Sequence, residues 1–128
     1  MPNVKEAVTF IKKDGEDIYV IGKVELERQS ELPDQLRFLD DKDIGATIER
    51  VFGCGTGNTR TFLYHAPTMS DATKIIRALA DGPGYTINGA QVPFEAVNAN
   101  ASLESLANDI ISQYHSGHPG DDNQPFFI

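Results

Sequence analysis

Val4 to Glu27 reads VKEAVTFIKKDGEDIYVIGKVELE, two runs of alternating side chains on either side of Asp14-Gly15. Val8 and Phe10 alternate with Ala7, Thr9 and Ile11. Beyond the break, Ile18, Val20, Val24 and Leu26 alternate with Tyr19, Ile21, Lys23 and Glu25. A period of two is that of a strand, whose successive side chains point to opposite faces. Asp-Gly supplies the positive φ angles of a tight turn, so the stretch is predicted to be a long β-hairpin. With Asp14-Gly15 as the turn, Phe10 lies opposite Tyr19 and Ile11 opposite Ile18, and both faces are apolar near the turn. One face is expected to cover the core. The other, through Tyr19 and Ile21, is expected to contact a second copy of the chain, unless a longer turn changes the register.

Working outward, the hairpin pattern recurs twice. Thr47–Phe52 and Thr59–His65 are rich in β-branched and aromatic residues, with Gly53-Cys54-Gly55-Thr56-Gly57-Asn58 between them as a glycine-rich connector. Tyr85-Thr86-Ile87 and Gln91-Val92-Pro93-Phe94 flank Asn88-Gly89, a strong hairpin signal. Pro93 cannot donate to a ladder, which puts its strand at an edge or a bulge. Two helices complete the pattern. The first starts at a Thr68 or Ser70 cap, carries Ala72, Ile75, Ile76, Leu79 and Ala80 on one stripe, and closes at Gly82-Pro83. The second starts at a Ser102 cap, carries Leu103, Leu106, Ala107, Ile110, Ile111 and Tyr114, and stops at Gly117. Residues 28–43 read as a short helix or an irregular loop. Leu32, Leu36 and Leu39 have helical spacing, while Leu36-Arg37-Phe38-Leu39 fits a short edge strand equally well.

The order ββ-ββα-ββα predicts an α+β fold: a mostly antiparallel sheet built from hairpins, with both amphipathic helices on one face. Residues 1–117 form the single expected domain. Residues 118–128 are a polar spacer ending in Phe126-Phe127-Ile128, an apolar cluster expected to dock in a groove of its own domain or of a second copy.

The chain of 128 residues has 11 Lys+Arg against 19 Asp+Glu, a formal charge of −8 and a pI near 4.7. Such a field repels phosphate backbones and anionic membranes, so neither nucleic acid nor membrane is an expected partner. Basic protein surfaces are favoured instead. No apolar run approaches the ~18 residues of a membrane span, and the first residues lack a signal-peptide core. One cysteine excludes an internal disulfide framework and, with the missing signal, points to the cytoplasm.

Two places could carry chemistry. Gly53, Gly55, Thr56 and Gly57, followed by Arg60, would suit a phosphate or carboxylate if the backbone N–H groups converge and the guanidinium closes on the anion. His115 and His118 with Asp121 and Asp122 are able to ligate zinc or nickel, but Gly117 interrupts them and no metal site is assigned. Cys54 and His65 would stand ~20 Å apart at ~3.3 Å per residue, too far for a nucleophile and its base. Nucleophile-elbow and H-E-x-x-H motifs are absent, and no cofactor is expected. The expected function is therefore binding rather than catalysis: a small acidic interaction or inhibitor module, of the immunity-protein type, acting as a homodimer. The alternative is a small-ligand protein or enzyme holding an anion at the Gly53–Asn58 segment and Arg60.

Overall fold

The computed structural model of the chain describes residues 4–28, 50–81, 85–87 and 90–116. The helix or loop expected over 28–43, the Asn88-Gly89 turn and the C-terminal Phe126-Phe127-Ile128 lie outside those residues, apart from Arg28.

Strands β1 (Val4–Asp14) and β2 (Asp17–Leu26) form the first hairpin. Its turn is Gly15-Glu16, with Asp14 opposite Asp17. Gly15 has a φ of 65° and open space where a Cβ would stand, so backbone conformation alone selects glycine there. Phe10 therefore lies opposite Ile21 and Ile11 opposite Val20, correcting the predicted register. Moving the turn by one residue slides the pairing by two, and every side chain keeps its face.

Strands β3 (Arg50–Thr56) and β4 (Thr59–Ala66) form the second hairpin around Gly57-Asn58. Asn58 ties that turn to the end of β2: its Nδ2 donates to Leu26 O at 2.8 Å, and Leu26 N donates to Asn58 O at 2.9 Å. Helix α1 (Met69–Asp81) follows, then the short pair β5 (Tyr85–Ile87) and β6 (Ala90–Val92), then β7 (Glu95–Ala96) and helix α2 (Ala101–His115). The main sheet runs β3-β4-β2-β1-β7, while β5 and β6 form a separate two-stranded sheet. The fold is α+β, but the sheet is mixed, because β7 pairs with β1 in parallel.

The helices lie on opposite faces of this sheet, which overturns the expectation that both cover one. Ala72, Ile75 and Leu79 of α1 pack with Val20, Val24, Leu26, Phe62, Tyr64 and Ala66. Leu103, Ala107, Ile110, Ile111 and Tyr114 of α2 pack with Val8, Phe10, Tyr19, Ile21 and Leu63. Both sets alternate along the same strands, so β2 and β4 are apolar on both faces. A strand with two apolar faces needs a layer on each, and the result is helix–sheet–helix.

Side-chain caps start both helices. Thr68 Oγ1 accepts from Asp71 N at 3.1 Å, making Thr68 rather than Ser70 the cap of α1. Asn100, extended at φ −99° and ψ −177°, accepts from Leu103 N at 2.9 Å and takes the role predicted for Ser102.

Candidate functional site

At one end of the sandwich the start of β2, the end of β4 and the last turn of α2 converge on a cluster of polar aromatic side chains. Register builds its centre. Tyr19 lies directly opposite His65, which puts both side chains on the α2 face with their rings stacked at 5.0 Å and 28°. Tyr114 closes the group from the helix, edge-on to Tyr19 at 6.0 Å and to His65 at 5.9 Å. Edge-to-face rings of this kind add to plain burial, because the positive rim of one ring meets the negative face of the other.

The hydrogen bonds form two sets. His65 Nε2 stands 3.3 Å from Asp17 Oδ1, and His65 Nδ1 stands 3.3 Å from the Tyr114 hydroxyl. A carboxylate only accepts, so Nε2–H is the donor, and in the neutral ring Nδ1 accepts from Tyr114 O–H. In the second set the Tyr19 hydroxyl bonds His115 Nε2 at 3.1 Å. Burial, reinforced by Asp17 and then by Tyr114 and Asp14, pushes the Tyr19 phenol well above its ordinary range. The phenol keeps its proton. The cluster joins Asp17, His65 and Tyr114 by hydrogen bonds and pins the end of α2 to the sheet.

Sequence alone does not assemble this group: it sets His65 too far from Cys54 to act with it and groups His115 with His118, Asp121 and Asp122, the last three of which lie outside the described residues. No set of three or more potential metal ligands occurs among the described residues. The one usable signal was the pairing of Tyr19 with His65, and it appears only once β2 and β4 are in register.

The predicted site residues fall elsewhere. Gly53, Gly55 and Thr56 are ladder residues of β3, opposite Phe62, Arg60 and Thr59, and only Gly57 (φ 61°) belongs to a turn. Successive N–H groups of a strand point to alternate sides, so the convergence on an anion expected of a loop is not formed. Arg60 is buried in β4, where its Nη1 turns back onto Thr59 O at 3.0 Å and Gly57 O at 3.4 Å. His65 lies opposite Arg50, four residues along from Cys54, hence about 13 Å away at ~3.3 Å per residue. That is closer than predicted and still beyond direct contact. Tyr19 and Ile21, expected at a contact between copies, are fully buried beneath α2.

Among the described residues no helix is long and apolar enough to cross a membrane. Comparison with protein-family models, with curated proteins and with solved structures returns no significant match.

Proposed function

We propose that the protein is an acidic interaction module that binds a basic protein surface through residues 29–49. The observation that supports this reading is where the charge sits along the chain. The described residues hold 11 acidic and 9 basic side chains, whereas 29–49 and 117–128 hold the other 8 acidic against 2 basic. Glu31, Asp34, Asp40, Asp41, Asp43 and Glu49, countered by Arg37 and Lys42, all lie between β2 and β3 in the chain. On the sandwich, acidic and basic side chains are nearly balanced in number and several of them pair. Lys5 pairs with Glu25 at 3.4 Å, Lys23 with Glu6 at 2.8 Å, and Lys12 reaches across to Glu104 of α2.

A nearly neutral framework carrying a concentrated acidic stretch steers basic surfaces toward that stretch and speeds their encounter, with a strong dependence on salt. If the partner's basic surface is the one it works with, occupation of that surface inhibits it.

The test uses the full chain and an oligolysine peptide, with fluorescence anisotropy read across a salt titration. A variant with Asp34, Asp40, Asp41 and Asp43 replaced by Asn is expected to lose about tenfold in affinity, or about 1.4 kcal/mol. A control with Glu6, Glu16, Glu27 and Glu95 replaced by Gln removes the same charge from the sandwich and is expected to lose far less. Equal losses would show that only net charge matters and would overturn the assignment to 29–49.

A further inference from the structure

The tip of the first hairpin brings a reactive pair together. The hairpin closes at Asp14 and Asp17, which leaves Gly15 and Glu16 as the turn. Asp14 and Gly15 are both exposed. Chain neighbours apart, no atom lies within 4 Å of where a Gly15 Cβ would stand. Among the described residues the Gly15 N–H donates to no backbone carbonyl. The Asp14 carboxyl likewise has neither a hydrogen bond nor an ion pair there. The carboxyl carbon of an aspartate and the next residue's nitrogen can close a small ring, so proximity favours attack, and glycine leaves that nitrogen unshielded. The other aspartates with described successors lack this combination. Asp17 precedes β-branched Ile18 and contacts His65. Asp71 precedes Ala72, whose N–H is held by Thr68 O at 3.0 Å, and Asp109 lies inside α2 before Ile110. Asp81 also precedes a glycine, but Gly82 lies outside the described residues.

We infer that Asp14-Gly15 is a site of spontaneous backbone modification, at which aspartate converts to isoaspartate. In the first step the Gly15 nitrogen attacks Cγ of the protonated Asp14 carboxyl. The N–Cγ bond forms, the Cγ–OH bond breaks, and the hydroxyl leaves with the amide proton as water. A water molecule then opens the resulting succinimide. Attack at Cγ restores aspartate. Attack at the former main-chain carbonyl frees that carbon as the carboxylate and leaves the chain running through Cγ. Mass and formal charge are unchanged, but the main chain gains one methylene at the pair that closes the hairpin. The turn of a hairpin fixes its register, so the insertion is felt at Asp17, directly opposite. Asp17 Oδ1 stands 3.3 Å from His65 Nε2, and through it the change reaches the Asp17–His65–Tyr114 set.

The test holds the full chain folded at mildly acidic pH and physiological temperature for weeks. Peptide mapping with electron-transfer fragmentation then distinguishes isoaspartate from aspartate at each position. Isoaspartate is expected at Asp14 at about tenfold the level at Asp17, Asp71 or Asp109, because only glycine leaves the attacking nitrogen unshielded. A level at Asp14 no higher than at those three would overturn the assignment. So would isoaspartate that accumulates there only once the chain is unfolded in urea. Nuclear magnetic resonance of the aged fraction is expected to show the His65 ring signals moved. Asp14→Glu, whose carboxyl would have to close a larger ring, is expected to age with neither change. His65 signals that stay put in protein carrying isoaspartate at position 14, or that move equally in aged Asp14→Glu, would overturn the link to the cluster. Mapping reads the parent chain alone, so it decides the site even if Asp14→Glu folds poorly.

Discussion

Gly22 of β2 lies opposite Phe62 of β4, on the α1 face. A Cβ built on Gly22 would stand 1.8 Å from Phe62 Cζ and 1.9 Å from Cε1. The ring lies over the bare glycine backbone, and ordinary contact at 3.4 Å would require it to retreat by about 1.6 Å. It has little freedom to do so. Phe62 is fully buried and meets Tyr64 edge-on at 5.2 Å and Phe94 at 5.3 Å. Gly22→Ala is therefore an overpacking substitution and is expected to cost about 1–3 kcal/mol, although alanine normally suits a strand better than glycine. Unfolding entropy for a chain of this length makes each kcal/mol worth about 4 °C, so Tm should fall by about 4–12 °C. Urea denaturation gives the free energy and a thermal melt the midpoint. Combining the substitution with Phe62→Leu provides an internal check, because the smaller side chain makes room and the two costs should sum to at least 1 kcal/mol more than the double variant shows, to order of magnitude. A Gly22→Ala protein within about 0.5 kcal/mol of the parent would refute the close approach of ring to backbone.

Leu79→Ala and Ile110→Ala should each cost about 2–5 kcal/mol, and because they lie under helices on opposite faces their effects should add to within about 0.5 kcal/mol. Strong non-additivity in chemical denaturation would place both helices over one core. Asn100→Ala, which removes the cap on Leu103 N, should cost about 1 kcal/mol, and Asn100→Asp should retain most of it. The raised Tyr19 phenol also makes a prediction about alkaline pH. The unfolded chain ionises from about pH 10 while the folded chain keeps its proton. That stability is fully present below the unfolded value, is lost as pH rises beyond it, and falls by about 1.4 kcal/mol per pH unit. In Tyr19→Phe the alkaline limb of stability against pH should flatten by one proton; an unchanged slope would mean that Tyr19 ionises freely in the fold.

Local signals read the elements well and their neighbours poorly. Alternation in Val4–Leu26 and the stripes of α1 and α2 follow from side-chain direction within one strand or helix, and each is visible without any partner. The apolar second face of β2 was visible too, in Tyr19 and Ile21. Which layer covers it was not, because a strand carries no local record of whether a helix of its own chain or another copy lies against it. Long-range pairing settled that question and others. Gly53–Thr56 has the composition of a loop, yet the ladder with β4 holds it as strand, tertiary pairing overriding propensity. Two-residue β7 has no period to detect, and its parallel pairing exists because the chain crosses the β1 edge on its way from α1 on one face to α2 on the other. The Asp17–His65–Tyr114 set needs β2, β4 and α2 to meet. By itself the sequence determined hairpins, helices and their apolar stripes, which depend on neighbours a few residues away. Tertiary structure decided register, layers and the polar cluster, which depend on contacts tens of residues apart.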